Sequence, residues 1–320
     1  MKILAVQNRM GIGDTVIFLP FIKALYKKYN SPISLLVKES SKADQYLNYN
    51  NYIKEIIKLE RNNENSGTHD GIPGFFKLIK ELKQFSFDNV FIFNSSLRYN
   101  LICRLAGIKK IYQYPLFKKK KQHLIYAAKN LLLSKLNLKI DCVPEIHIDN
   151  SRLIEVKKKF NINSNQINIL LGIGGSGPTK RTPARKFIEF IELCLKDYDC
   201  KFFLATGQNE EEQKILNSII SNFKEKCIPL NKLSISETLP FIKSCNISIC
   251  NDSSFSHLSA GLGLPTIVLM CDTPLLYGNY TPNMYPIIPD GVNNVFHGTN
   301  GKEKINPKRI FEKFKSIIAN

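Results

Sequence analysis

The chain has 320 residues, of which 43% are hydrophobic and 10% aromatic, a composition typical of globular proteins and not of disordered ones. This length predicts two domains, and no apolar run approaches the roughly 20 residues that a transmembrane helix needs. The first residues form only a strand-length apolar segment, without the longer apolar region and cleavage site of a signal peptide. We therefore expect a cytoplasmic protein.

The net charge of +18 is concentrated in the first half of the chain. Residues 1–160 contain 28 Lys and Arg against 13 Asp and Glu, whereas residues 161–320 contain 17 against 14. Such a field favours polyanions: an anionic membrane, a phosphorylated acceptor or nucleic acid. Nucleic acid is the weakest of these, since no binding motif accompanies the charge. A general richness in Lys and Asn explains the excess equally well.

The sharpest basic run consists of four consecutive lysines, Lys118, Lys119, Lys120 and Lys121, followed by an amphipathic helical pattern. A basic cluster beside such a helix can bind an acceptor or an anionic membrane surface. A solvated loop that leads into a core helix is the alternative.

Strand and helix patterns alternate in the first half of the chain. Apolar runs predict strands over 2–7, 33–37, 56–59 and 89–93. Helical periodicity predicts helices over 15–29, 74–85, 96–106 and 123–136. Alternation of this kind builds a parallel sheet that is covered on both faces.

The alternation stops at the polar stretch 161–165 and then restarts, so we predict domains over 1–160 and 161–320. The second half predicts strands over 167–171, 201–205, 247–250 and 266–270, with helices over 184–195, 209–223, 234–243 and 255–262. A last helix, predicted over 307–318, can pack back on the first domain. The expected fold class is α/β, with two Rossmann-like parallel-sheet domains facing a central cleft.

Three loops carry the features that point to a function, and the first follows the first strand with the sequence G-I-G-D. Gly11 and Gly13 allow a tight turn and the close approach of a ligand, and Asp14 falls near the start of the next helix. Asp14 either caps that helix or acts in catalysis. The loop does not complete G-x-G-x-x-G, which argues against a dinucleotide-dependent oxidoreductase.

The second loop, at residues 172–183, is rich in glycine and lies between a predicted strand and a predicted helix. Ser176 and Thr179 offer hydroxyl groups, and Lys180 and Arg181 offer positive charge. Glycines next to cations suit a diphosphate, although the loop lacks the ending of a Walker A motif. A purely structural turn is the alternative.

The third loop ends the strand 247–250 and begins a helix. Asp252, Ser253 and Ser254 lie in the turn, and His257 lies in the first part of the helix. The free N–H groups and the dipole of such a helix favour an anion, most often a phosphate. The alternative is that Asp252 caps the helix and that His257 is an ordinary helix residue.

Cysteine and histidine spacing gives no sign of a metal site or of a disulfide. The eight cysteines form no C-x-x-C pair and lie mostly in apolar stretches, so we expect reduced cysteines in the core.

Taken together, the three loops resemble glycosyltransferase family 9, the heptosyltransferases of lipopolysaccharide core assembly. The family pattern G-x-G-D corresponds to Gly11–Asp14, and its Ser/Gly/Thr-rich loop with a Lys corresponds to Ser176–Pro183. The family pattern N-D-[ST]-G-x-x-H corresponds to Asn251–His257, followed by G-L-P at Gly263–Pro265. Order and spacing match over nearly the whole chain.

The resemblance implies a GT-B fold, with an acceptor-binding first domain and a second domain that binds the nucleotide sugar. It implies an inverting, metal-independent transfer of heptose from ADP-heptose to a lipopolysaccharide or lipooligosaccharide core, or to a related surface glycan. No cofactor is implied. The acceptor would be an anionic glycolipid, reached by peripheral contact at the cytoplasmic face of the inner membrane.

The resemblance also implies roles for residues. Asp14 would be the base that takes the proton of the acceptor hydroxyl, and Lys180 would neutralise the departing diphosphate. The other residues that would bind the donor are Ser176, Thr179, Asp252, Ser253, Ser254 and His257.

Two departures from the family pattern lie in the donor half. Ser254 stands where the family has glycine, and the segment M-C-D-T-P at 270–274 lacks a family glycine. These departures leave two alternatives open: a related transferase with another nucleotide sugar or a protein acceptor, and a non-catalytic protein that binds sugar nucleotides.

Overall fold

The structure, a computed structural model, describes residues 1–9, 11–62, 64, 66–116, 123–162 and 165–319. The chain divides into two compact units, Met1–Pro144 and Glu145–Asn320. Within the described residues, no helix is long and apolar enough to cross a membrane. All eight cysteines are buried, which confirms the prediction that they lie in the core.

The first unit is a parallel sheet covered by helices. Its strands, in the spatial order β3-β2-β1-β4-β5, are β1 (Ile3–Gln7), β2 (Ile33–Lys38), β3 (Ile53–Leu59), β4 (Asn89–Ile92) and β5 (Lys110–Gln113). Its helices are α1 (Ile12–Tyr29), α2 (Gly71–Phe85), α3 (Leu97–Leu105) and α4 (Leu124–Leu136). The chain reverses its direction of travel across the sheet between β1 and β4, and in parallel sheets ligands bind beyond the carboxyl ends of strands at such a point.

The two faces of this sheet are buried by different helices. Leu4 and Val6 of β1 pack, with β4, against the apolar sides of α2 and α3. On the opposite face, the Phe93 ring that follows β4 lies 5.2 Å from the ring of Phe18 in α1. Both faces of β1 are therefore covered, which explains why its sequence reads as a continuous apolar run.

The second unit repeats the plan with a larger sheet. Its strands, in the spatial order β11-β10-β9-β6-β7-β8, are β6 (Ile167–Gly172), β7 (Cys200–Ala205), β8 (Cys227–Pro229), β9 (Ile247–Asn251), β10 (Thr266–Leu269) and β11 (Met284–Ile287), and all pairs are parallel. Its helices are α5 (Asn150–Lys159), α6 (Ala184–Asp197), α7 (Glu210–Phe223), α8 (Ile235–Ser244), α9 (Ser254–Gly261) and α10 (Pro307–Ile318). Here the reversal lies between β6 and β9.

The units divide at residue 144 rather than at the expected boundary after residue 160. The reason is that α5 packs on α8, and the Phe160 ring that follows α5 lies 4.8 Å from the ring of Phe241. The last helix, α10, packs on α6 of its own unit, with Phe314 and Phe190 5.9 Å apart. A contact of α10 with the first unit stays a prediction.

Candidate functional site

Two of the predicted loops leave adjacent strands of the second sheet, because β6 and β9 are hydrogen-bonded neighbours. Asn251, the last residue of β9, is fully buried and fixes the glycine-rich loop from both ends. Its Nδ2 donates to the carbonyls of Ile173 and Gly174, at 2.8 and 3.2 Å, and its Oδ1 accepts the N–H of Thr182 at 3.2 Å. One amide side chain thereby sets the path of the loop that carries Lys180.

A buried carboxylate holds the same loop from the other side. Glu212, in the first turn of α7, accepts hydrogen bonds from the Gly175 N–H and the Thr206 hydroxyl, both at 3.0 Å, and from the Gly207 N–H. A Cβ at Gly174 would lie 2.9 Å from the Glu212 carboxylate. A residue larger than glycine at position 174 would therefore keep the loop backbone from approaching Glu212 this closely.

Arg181 is engaged by the loop itself. Its Nε donates to the Gly175 carbonyl at 2.9 Å, and its guanidinium pairs with the exposed carboxylate of Glu211. The Arg181 side chain is only 12% exposed. Its charge therefore stabilises the loop conformation, and the cation left at the loop surface for an anion is Lys180.

Lys180 is held by a buried carboxylate. The ammonium Nζ lies 3.1 Å from Asp252 Oδ2, and the Thr273 hydroxyl donates to the same oxygen at 2.6 Å. Burial alone would raise the pKa of Asp252, but Lys180, His257 and the Thr273 hydroxyl together hold that pKa below its usual range. Asp252 is thus an anion that positions the Lys180 ammonium, whose side chain is 24% exposed.

His257 lies behind this pair, in a buried position on α9. Its Nδ1 is 3.1 Å from the Tyr280 hydroxyl, its ring stacks on the Tyr280 ring, and its Nε2 is 3.8 Å from Asp252 Oδ1. The structure therefore brings Lys180, Asp252 and His257 together, three residues that the sequence predicts around a donor diphosphate. Direct contact of His257 with a phosphate or a ribose stays a prediction.

The remaining donor residues of the prediction lie around this cluster. Ser253 is the N-cap of α9 and Ser254 its first residue, and both are half-buried. Thr179 is hydrogen-bonded to Asp272, which also accepts the N–H groups of residues 298 and 300, both at 2.8 Å. Ser176 is exposed on the glycine-rich loop.

In the first unit, the G-I-G-D loop leaves the carboxyl end of β1 and begins α1. Asp14 lies in the first turn of α1, where its Oδ2 accepts the Gly11 N–H at 3.3 Å. Its Oδ1 lies 3.7 Å from Arg9 Nη1, and the Asp14 side chain is 23% exposed. The carboxylate thus does what a capping residue does and still reaches solvent, so both readings of Asp14 fit the geometry.

Three further side chains lie close enough to Arg9 or Asp14 to feel their charge. Burial raises the pKa of the Tyr46 hydroxyl, with a smaller contribution from the charge of Asp14, and burial also raises the pKa of Tyr114. Burial and the neighbouring Arg9 charge lower the pKa of His123 to about 4. All three groups are uncharged near neutral pH, and the cation that lies next to the Asp14 carboxylate is Arg9.

Several residues of these clusters were not predicted from the sequence. Thr273 and Asp272 follow β10, and their closeness to the loop after β9 depends on the pairing of those strands. Glu212 follows the N-cap Asn209 and looks in sequence like a residue that merely favours a helix start. The predicted basic run, Lys118 to Lys121, lies outside the described residues.

Comparison with known proteins places this chain among glycosyltransferases. The family model of glycosyltransferase family 9 (heptosyltransferase) matches residues 75–313. A lipopolysaccharide heptosyltransferase 1 of Campylobacter coli is 30% identical over 141 residues, a match that spans 42% of this chain and only 41% of that protein. A lipooligosaccharide heptosyltransferase 2 of Campylobacter jejuni is 25% identical over 82% of this chain and 78% of its own length.

A solved structure confirms the fold class. The ADP-heptose lipopolysaccharide heptosyltransferase II of E. coli superposes with a TM-score of 0.75 at 17% identity, over 100% of this chain and 99% of its own. Two α/β units with all-parallel sheets, shared over the full length, establish the GT-B class that the sequence predicts.

Proposed function

The chain belongs to glycosyltransferase family 9, and from that premise we propose that it transfers a heptose from ADP-heptose to the core of a lipopolysaccharide or lipooligosaccharide. It is a glycosyltransferase that uses a nucleotide-sugar donor; the identity of the sugar, the inverting course and the independence from metal are the proposal. The observation that carries it is the Lys180 ammonium, held by buried Asp252 and Thr273 at the point where the second sheet reverses. The E. coli protein of the same fold is described as using ADP-heptose.

The donor diphosphate would bind between Lys180 and the N-terminus of α9. As the bond from the anomeric carbon to the diphosphate breaks, negative charge grows on the leaving oxygen. A fixed ammonium and helix N–H groups stabilise that charge without having to reorganise. These groups provide what a divalent metal provides in other transferases, which is why we propose a metal-independent reaction.

Asp14 would act as the general base. The acceptor oxygen attacks the anomeric carbon from the face opposite the diphosphate, and its proton passes to the Asp14 carboxylate. One displacement inverts the configuration and needs one base, unlike the paired carboxylates of retaining glycosidases. The hydrogen bond from the Gly11 N–H fixes one carboxylate oxygen, and the partial exposure of Asp14 leaves the carboxylate accessible to a hydroxyl.

The acceptor would be an anionic glycolipid in the cytoplasmic face of the inner membrane, approached from solution by a peripheral protein. The positive charge of residues 1–160 supports this, because it attracts both acidic sugars and anionic lipids. No cofactor besides the donor is part of the proposal.

The first test is calorimetric titration with ADP, UDP, GDP and CDP, followed by ADP-heptose, in the presence of EDTA. Selective binding of ADP, tighter with the heptose attached, supports the proposal. Tighter binding of another nucleotide would show that the donor carries that nucleotide instead of ADP. Ser254, at the start of α9, stands where the family has glycine, which makes this outcome worth testing. A strict requirement for added metal would contradict the proposed chemistry.

Lys180→Ala should weaken ADP-heptose binding and transfer together, by about 10-fold or more, because a charge-assisted contact to the diphosphate is lost. Lys196→Ala, which removes an exposed lysine near the end of α6, is the matched control and should change neither. Unchanged kinetics in Lys180→Ala would remove this residue from the diphosphate site.

A further inference from the structure

Two neighbouring helices of the first unit expose large apolar side chains. On α2, Ile72 and Phe76 are 75% and 61% exposed, and on α3, Leu97, Leu101 and Leu105 are 50%, 41% and 57% exposed. Within each helix these residues recur every four positions, so they form one stripe along its outer side. The opposite sides of both helices pack on the sheet. We name these five side chains the apolar ridge.

The helices α2 and α3 pack on each other and cover the same face of the sheet, so their outer stripes lie on neighbouring helices. Arg98 Nη2, in the first turn of α3, donates to the carbonyls of His69 and Gly71 at 2.9 and 3.0 Å, which ties the starts of the two helices together. The Arg98 guanidinium also lies over the Phe75 ring, 5.3 Å from its centre. Both helices follow strands of the parallel sheet, so they begin at the carboxyl ends of the strands, where the Asp14 loop also leaves β1.

Cations continue the apolar ridge. Lys80, four positions after Phe76, and Lys83, three positions further, extend the outer stripe of α2, and Arg104 precedes Leu105 on α3; all three cations are exposed. Residues 97–110 contain four cationic residues and no acidic one. The acidic residue of α2, Glu81, is 3.0 Å from His69 Nε2.

We propose that the apolar ridge and its cations dock the protein on the surface of an anionic phospholipid bilayer. Apolar side chains that enter the boundary between headgroups and acyl chains, flanked by lysine and arginine on lipid phosphates, are the arrangement by which proteins lie on a membrane. The whole unit adds to the attraction, with 24 Lys and Arg against 10 Asp and Glu in residues 1–144. A second copy of the chain fits this surface poorly, because two copies meeting here would bring like charges together.

This inference rests on the proposed function, because a membrane-anchored acceptor gives the protein a reason to bind a membrane. It also explains why the docking surface begins at the carboxyl ends of the strands, where the Asp14 loop lies. The contact itself is measurable without any transfer reaction. It also concerns described residues of α2 and α3 and is separate from the predicted run Lys118 to Lys121.

The test is sedimentation of the full-length protein with vesicles of phosphatidylcholine, with and without phosphatidylglycerol. The ridge variant is Phe76→Ser/Leu101→Ser, and the matched control is Ile154→Ser, which removes a 68% exposed side chain from α5. The wild type and the control should bind anionic vesicles more tightly than neutral ones. The ridge variant should bind them about 10-fold more weakly, since it loses the burial of two large apolar side chains. Lys80→Gln/Lys83→Gln should lower the binding to anionic vesicles only.

Equal vesicle binding by the ridge variant and the control would overturn the proposal, and so would a wild type that does not prefer anionic vesicles. A wild-type dimer in sedimentation equilibrium that becomes monomeric in the ridge variant would assign this surface to a second copy instead. ADP-heptose titration and transfer to a delipidated, soluble acceptor are measured in parallel and should be unchanged in the ridge variant. Failure of the wild type in those two assays would count against the proposed function alone, because the vesicle result does not depend on them.

Discussion

The Asp252 carboxylate is a buried charge that the Lys180 ammonium neutralises and a hydrogen bond from Thr273 holds in place. Lys180 and the Thr273 hydroxyl contact the same oxygen, and Asp252 is only 6% exposed. A buried anion of this kind is costly unless its partners are in place. In the proposed reaction, a donor diphosphate would therefore meet an ammonium already oriented by Asp252, and the loop would not have to order a free lysine.

Asp252→Asn should destabilise the protein by about 1–3 kcal/mol near neutral pH, because a charge-assisted contact is replaced by a neutral one. The pKa of Asp252 is lowered in the folded state, so its stabilising contribution is present above the unfolded-state pKa of about 4. That contribution is lost as the pH falls through the lower folded-state pKa. In thermal unfolding between pH 3 and about pH 7, the difference in stability between the wild type and Asp252→Asn should therefore shrink as the pH falls.

The control for this prediction is Asp199→Asn, since Asp199 also pairs with a lysine, Lys226, at 3.0 Å, but is 61% exposed. Solvent screens such a pair, so the control should unfold like the wild type at every pH. A constant difference between Asp252→Asn and the wild type across the pH range would contradict the assignment of an ionised Asp252.

Asp14→Asn tests the proposed base. Asparagine keeps the shape and an oxygen that can accept the Gly11 N–H, but it cannot take a proton from the acceptor. We expect kcat to fall by about 10²–10⁴-fold, the usual contribution of general base catalysis, while ADP-heptose binding by calorimetry stays the same. Asp44→Asn, in the same unit and 42% exposed, should leave both values unchanged. A parallel loss of donor affinity in Asp14→Asn would point to a structural role for this residue.

The sequence predicts the residues that lie within one loop and misses those whose role depends on neighbouring strands. Asp252 and His257 lie close together in the chain, so their meeting can be read from the motif. Thr273 reaches Asp252 only because β10 pairs with β9, and no pattern within either segment states that pairing. Glu212 is missed for the same reason, since its partners lie on loops after β6 and β7.

At the level of elements, the long buried strands are predictable and the short edge strands are not. β1, β6 and β9 are apolar runs buried on both faces, which gives a clear pattern. β8 has only three residues, C-I-P, and exists because β7 supplies hydrogen-bonding partners, as in the contact of the Leu230 N–H with the Leu204 carbonyl. α1 begins earlier than predicted, at Ile12, because Gly11 serves as its N-cap.

The glycine-rich loop owes its conformation to two other elements, the end of β9 and the start of α7. Glu212→Gln should therefore weaken ADP-heptose binding about 10-fold and lower stability by about 1–3 kcal/mol, because the buried carboxylate accepts several hydrogen bonds and the amide leaves one acceptor short. Glu211→Gln is the matched control: Glu211 is the adjacent residue, is 65% exposed and contacts Arg181 from outside. The measurements are ADP-heptose affinity by titration calorimetry and stability by thermal unfolding, each for both variants. Equal losses in Glu212→Gln and Glu211→Gln would show that the charge near Arg181 matters and that the buried hydrogen bonds do not.

For the whole molecule, the division of charge between the units predicts different responses to salt. The unit of residues 1–144 has 24 Lys and Arg against 10 Asp and Glu, whereas residues 145–320 have 21 against 17. In the proposed reaction, attraction of an anionic acceptor by the first unit would act over distance and would be screened by salt, since the Debye length falls from about 10 Å at 0.1 M salt to about 3 Å at 1 M. The proposed contact of a donor with Lys180 would be local and partly buried, so salt would screen it less.

Raising NaCl from about 0.1 M to about 0.5 M should therefore increase KM for the acceptor several-fold, with a much smaller change in the Kd for ADP-heptose. Initial rates at several acceptor concentrations give the first quantity, and calorimetry in the same buffers gives the second. Lys80→Gln/Lys83→Gln should reduce the salt dependence of the acceptor KM, because it removes part of the positive charge that salt screens. The control is Lys308→Gln, which removes an exposed lysine from α10 of the second unit and should leave that dependence unchanged. If KM and Kd rise by the same factor, the charge of the first unit has no particular part in recruiting the acceptor.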